Sequence, residues 1–179
     1  DGAGKPLGFL ASGAFISGAA EGGQGVDTIV AENINNMWSH MWAASRRNAV
    51  WFYNQECEPQ LDSMALVVGA AGQLVYMPPG GLSDTPYARL KGRPAIPVEH
   101  ASALGDLGDI VLVDLLQYGL SDRGAPLAAS SIHVQFLTDQ TAFRFLYSVD
   151  GQPMWKTTLT PAHAAAGFTV SPFVGLAAR

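Results

Sequence analysis

Val30, Ile34, Met37 and Met41 recur at i, i+4, i+7 and i+11, with Trp38 and Trp42 beside them. At 3.6 residues per turn these side chains share one broad apolar face, so the spacing predicts a helix over 28–43. Gly22-Gly23-Gln24-Gly25 marks a turn before it, and Asp27 is placed to accept from the free amides of its first turn. A helix with such a face needs another layer to cover it. Two short apolar runs supply the candidate: Ala49-Val50-Trp51-Phe52-Tyr53, and residues 110–114, both rich in β-branched or aromatic side chains. The expectation is an α+β fold in which the Val30/Ile34/Met37/Met41 face packs on a mixed sheet containing 50–52 and 110–113, with flanking helices.

Elsewhere punctuation dominates, since the chain carries 20 glycines and 11 prolines in 179 residues. The first 25 residues are rich in Gly and Ala, with short apolar pieces at 7–10 and 14–16. Asn54 is placed to cap a second helix through about residue 67, with Pro59 in its first turn. Residues 69–89 read as loop, with a short strand at 74–76. The second half reads mainly as β, with strands expected at 95–98, 110–114, 132–136, 142–149 and 169–176. Phe143, Phe145 and Tyr147 alternate with Arg144, Leu146 and Ser148, the period of a strand with one aromatic face. Asp150-Gly151 is a turn signal before 153–155.

Composition narrows the function. Hydrophobic residues make up 48%, enough for a core, but charged residues only 14%, against about 25% in an average soluble domain. The deficit points to a surface that is either partly neutral or partly covered by neighbours. The net charge of -5 and the lone basic pair Arg46-Arg47 argue against sequence-specific nucleic-acid binding, which relies on basic stripes to displace counterions. No apolar run reaches the ~18 residues of a membrane span, and no signal-peptide pattern opens the chain. Cys57 is the only cysteine, which removes an internal disulfide and any Cys-based zinc site and fits a cytoplasmic origin. The chain opens Asp1-Gly2-Ala3-Gly4-Lys5-Pro6 without an initiator Met, and reads as the middle of something longer.

No constellation of catalytic or ligating residues emerges, and no cofactor or metal is expected. Gly2-Ala3-Gly4-Lys5 has the end of a phosphate loop but lacks the earlier glycine, and Pro6 stands where Ser or Thr is needed. His40, His100, His133 and His163 include no pair at i, i+4 and no metalloprotease motif. His40 falls beside the apolar helix face, and Glu99-His100, as strand neighbours, point to opposite sides. No nucleophile elbow occurs, and Glu56 and Glu58 beside Cys57 disfavour its thiolate. Asp106 and Asp109 in Gly105-Asp106-Leu107-Gly108-Asp109 are three apart with no Glu at a twelfth position, so they read as a turn and not a calcium loop.

One resemblance runs through the chain. Leu90-Lys91-Gly92-Arg93-Pro94-Ala95 resembles the phrase L-x-G-R-P-V of tailed-phage major capsid proteins with the Hong-Kong-97 fold. The similarity continues through 103–110, then Asp114 and Tyr118 in a D-x-x-x-Y element, and ends near Ser121-Asp122-Arg123-Gly124. Gly2-Ala3-Gly4-Lys5-Pro6-Leu7-Gly8-Phe9-Leu10 is similar to the family's G-x-G-x-P-x-G-(I/L)-L segment. Phe143-Arg144 with Val149-Asp150-Gly151 is similar to a late F-R…R-x-D-G strand, except that Ser148 stands where a basic residue is common.

The resemblance implies a structural shell subunit and not an enzyme. Its partners would be other copies of itself, forming pentamers and hexamers around packaged DNA, in a virion capsid made in the bacterial host cytoplasm. It implies an opening segment at 1–25, an axial domain at 26–125 and C-terminal strands of a peripheral domain at 126–179. It also implies that an N-terminal arm, an extended loop and a long spine helix precede Asp1, so that the chain alone forms monomers or rings but no closed shell. The loop Tyr76-Met77-Pro78-Pro79-Gly80-Gly81-Leu82 is then a candidate ring contact. Two other readings stand beside this one. An encapsulin-like nanocompartment shell shares the fold, and a small α+β enzyme would show a pocket lined by convergent polar groups.

Overall fold

Strands from the beginning, middle and end of the chain meet in one mixed sheet of six, in a computed structural model that describes residues 4–68, 71–74 and 89–179. Its strands are β1 (Ile16–Gly18), β2 (Val50–Tyr53), β5 (Arg89–Leu90), β6 (Arg93–Pro97), β7 (Ile110–Val113) and β12 (Phe173–Leu176), in the order β1-β12-β7-β2-β6-β5. β1 runs parallel to β12 and β2 parallel to β6, while β7 is antiparallel to both β12 and β2. The α+β architecture with a mixed sheet is the one expected.

Alternation along these strands builds a core on each face. Trp51, Tyr53, Ile110, Leu112, Val174 and Leu176 point to one side, where helix α1 (Ala31–His40) lays Ile34 and Met37 on them, with Met41 following directly. Val111, Val113 and Phe173 point to the other side, where Phe9, Phe15, Phe52 and Trp155 cover them. The predicted packing of helix on sheet therefore holds for Ile34, Met37 and Met41. Val30 is only half-buried, and Ile29 takes the buried place. Gly175 is required where the second face is tightest: a Cβ there would lie 2.6 Å from the Phe15 ring.

The helix is shorter than its periodicity, for reasons that lie elsewhere in the chain. Gln60 accepts from the Ile29 amide at 2.7 Å and donates to the Asp27 carbonyl at 2.8 Å, which holds 27–29 out of the helix. Asp27 takes a left-handed φ of 55° and does not cap. Asn33 reaches back instead, its Oδ1 accepting from the Val30 amide at 3.0 Å. At the far end the His40 carbonyl accepts from Ser171 and Met41 bridges Ser171, so the chain leaves the helix to join the sheet region. Arg46 donates to the Trp38 and Met41 carbonyls at 3.0 and 3.3 Å and lies over the Trp38 ring, closing the C-terminus.

Other expectations need correction. Asn54 caps a 3-10 turn, Gln55–Cys57, and the helix that follows, α2 (Glu58–Ser63), ends early because the chain then pairs as β3 (Ala65–Val68) with β4 (Ala71–Leu74). That hairpin interrupts the expected loop; the rest of the 74–76 strand and the 76–82 loop lie outside the described residues. The late strand is four residues long, because Pro172 has no amide to donate; Val170 and Ser171 make only isolated bridges before it.

One buried ion pair fastens the sheet. The side chains of Arg179 and Asp109 are 1% and 0% exposed and meet through two contacts, 2.5 and 3.2 Å. The Asp109 carboxylate also accepts from the Gly105 and Ile110 amides at 3.0 and 2.7 Å, so its lone pairs are satisfied. Removing one partner strands a buried charge. Arg179→Ala is expected to lower the unfolding free energy by about 3–5 kcal/mol, read as a fall in the urea midpoint, whereas the exposed Arg123→Ala should stay within about 0.5 kcal/mol.

Candidate assembly surface

Between β7 and β12 the chain leaves the sheet and forms a two-stranded ribbon. β8 (Tyr118–Asp122) pairs antiparallel with β11 (Val149–Pro153), and β9 (Leu127–Ser131) with β10 (Ala142–Leu146). The two ladders follow one another, Tyr118 opposite Pro153 at the base and Ser131 opposite Ala142 near the tip. Residues 123–126 face only 147–148 between them. Gly124 at φ 95° and Pro126, which cannot donate, account for this interruption and for the division of the expected 142–149 strand in two. The expected strand at 132–136 falls in the tip, because the Ser131/Ala142 register turns the chain there; Phe136–Thr138 is a 3-10 turn. Asp150-Gly151 is no turn but part of β11, where glycine is needed because a Cβ would lie 2.7 Å from the Tyr118 ring.

The base of the ribbon is tied down. Leu7 donates its amide to the Gly151 carbonyl at 2.8 Å and accepts from the Tyr118 hydroxyl at 2.9 Å. Trp155 donates its indole N–H to Gln117 at 3.0 Å. Beyond this the ribbon stands in solvent. Phe143 and Phe145 share one face with Ala128 and Ser130, and both rings are at least 70% exposed. At the tip Phe136 is 74% and Leu137 98% exposed. Among the described residues, most of the large apolar side chains left in water lie between 115 and 154. These side chains make the ribbon the candidate contact surface among the described residues, since an isolated two-stranded ribbon is marginal in water.

A cavity of about 400 Å³ opens on the second face of the sheet, lined by Phe9, Leu10, Phe52, Val98 and Val111 among others, with His100 as its one polar side chain. It offers no converging polar groups of the kind the enzyme reading asked for. The remaining sequence candidates are scattered. His40 stacks on Phe168 at 4.7 Å and lies 2.6 Å from the Thr169 carbonyl. His100, His133 and His163 are exposed on three separate segments. Asp106 is exposed in the turn expected for it, while Asp109 is committed to Arg179. That ion pair was not legible in the sequence, where 70 residues separate the partners. Lys5 is exposed, and residues 1–3 lie outside the described segments. Among the described residues, no group of three His, Cys, Asp or Glu side chains is placed to hold a metal, and no helix is long and apolar enough to cross a membrane.

Cys57 is buried at the start of α2, its thiol 3.7 Å from the Asp109 carbonyl. Burial, helped by the Asp109 charge, pushes the thiol up to about 12. A raised acid pKa means that the folded state keeps a proton the unfolded state loses, so stability falls as pH rises from about 9 toward 12. The native thiol is expected to resist a disulfide reagent at pH 8 and to react fully in denaturant; rapid labelling of the native protein would contradict this burial.

Comparison with known proteins agrees with the surface. No curated protein matches the chain. A solved structure described as the capsid of an empty GTA particle computed with C5 symmetry superposes with a TM-score of 0.67 at 17% identity, over 99% of this chain. The chain spans 58% of that neighbour's length, and the likeness establishes the fold. The model of the phage capsid family matches residues 1–160. With the family's sequence pattern over most of its length and a capsid fold beneath it, this chain belongs to the phage capsid family.

Proposed function

We propose that the chain is a shell subunit: part of the major capsid protein of a tailed phage or prophage, which assembles with copies of itself into pentamers and hexamers around packaged DNA. The observation that carries this reading is the ribbon at 115–154, which holds most of the large apolar side chains left in water among the described residues, while those of the sheet are mostly buried. Family membership and the capsid fold support a structural role over a catalytic one. The low charge has a matching cause: a subunit surrounded by neighbours buries surface that a monomer would have to solvate. In this reading the subunit is made in the host cytoplasm and resides in the virion capsid.

We place the domain division at the ribbon. Segments 16–18, 50–53, 89–97, 110–113 and 173–176 share one sheet, which supports treating them as a single axial unit with 118–153 as the peripheral one. The expected boundary at 126 would cut through the ribbon.

Overexpression of the protein carrying this chain, without other virion components, tests the proposal by negative-stain microscopy and light scattering. Closed particles of uniform diameter, or rings of five or six, are the expected result. A strictly monomeric protein at all concentrations and salts would refute self-assembly.

A further inference from the structure

We propose that the sheet unit is electrically two-ended and that its basic end docks on the acidic end of a second copy, head to tail. The inference deepens the shell-subunit reading and rests on it. Strand direction places the charges. β2 and β6 run parallel, and Arg93 donates to the Ala49 carbonyl at 2.7 Å where both begin. Arg47, just before β2, and Arg89 and Lys91, in the hairpin that leads into β6, therefore stand at one end, all exposed. At the other end the Val98 amide donates to the Tyr53 carbonyl and the Leu104 amide to Glu56 at 3.3 Å, and Asp27 lies against Gly105. These contacts gather Asp27, Glu56, Glu99 and Asp106 there, and all four are exposed.

Neither set is neutralised inside the subunit. Among the described residues the one ion pair is Asp109–Arg179, buried within the acidic end. Asp114, the carboxylate at the basic end, is buried and accepts from the Leu116 amide at 3.1 Å. The strands between keep the two signs about 10 Å apart, at ~3.3 Å per residue. At a net charge of -5 unoriented copies repel one another. Opposite charges held at two ends of one body orient the approach, since complementary ends attract and like ends repel. A second copy carries both complements. Joining two copies head to tail leaves one free end of each sign, so the contact is heterologous and repeats, closing a ring when the rotation permits.

Charge reversal tests the contact in the whole protein that carries the chain. One variant carries Arg47→Glu with Lys91→Glu, a second Glu99→Lys with Asp106→Lys; all four side chains are exposed, so folding is retained. Sedimentation and light scattering are expected to show association weakened about tenfold or more in either variant alone. Mixing the two, or combining all four reversals in one chain, is expected to restore it, because each end again meets its opposite. If a reversed variant fails to fold, the wild type decides: raising salt from about 0.05 to about 0.5 M should weaken its association by a similar factor. Wild-type assembly that reversal leaves unchanged, or that mixing fails to restore, overturns the contact while leaving the shell reading intact. Restoration that stops at dimers also overturns it, since two-fold pairing satisfies both ends at once. Loss of binding to a short double-stranded DNA on Arg47→Glu with Lys91→Glu, with assembly unchanged, overturns it in favour of nucleic acid at the basic end. A wild-type protein that does not self-associate defeats both readings.

Discussion

Strand β7 is the constraint on which the rest of the molecule depends. All four of its residues are buried, Ile110 and Leu112 toward α1 and Val111 and Val113 toward the opposite layer. Its two neighbours come from distant parts of the chain: β2, near residue 50, and β12, near residue 175. Neither core forms until both have arrived, so the sheet couples the chain end to its middle. The Asp109–Arg179 pair sits where β7 begins and β12 ends, alongside the Gly108 amide donating to the Leu176 carbonyl. A buried ion pair adds little net stability over an apolar contact but tolerates only one alignment. Here it fixes the register of two strands that no short turn connects.

How much of this could be read in advance depended on whether the controlling contact was local. The apolar face of α1 and the strands at 50–53 and 110–113 were legible, because periodicity and β-branched composition reflect burial directly. The ends of α1 were not. They are set by Gln60 and Ser171, residues far along the chain whose hydrogen bonds compete for the terminal turns. The ribbon was only half legible. Alternation at 143–147 announced a strand, yet the register that sends 132–141 into the tip depends on pairing with 127–131, a stretch of small residues with little strand signal. For the ribbon's apolar surface the one general sign was the shortage of charge, which pointed to a surface partly neutral or partly covered without locating it. The cavity was invisible, since its walls come from four separate segments.

The distribution of apolar side chains explains how one chain can be both folded and unfinished. The sheet is largely covered, by the helix on one side and by aromatic residues on the other, with one apolar cavity left open on the second face. Among the described residues, most of the exposed apolar side chains lie instead on the ribbon and its tip. The contacts that hold the sheet are thus separate from those of the ribbon, so that either set can be altered with the other intact.

The placement of the ribbon has a mechanical consequence. Its two strands are joined to the sheet unequally: residues 114–117 link β7 to β8, whereas residues 154–172 stand between β11 and β12. That longer connection is folded on itself by the Leu159–Val170 bridge and tied at its start by the Trp155 indole to Gln117. A displacement of the ribbon is therefore carried into the sheet by the short link, at the end of β7 where the Asp114 amide donates to the Pro172 carbonyl, while the long link takes up slack. The Asp109–Arg179 pair lies at the opposite end of β7, so the fastening is the part of the sheet farthest from the lever.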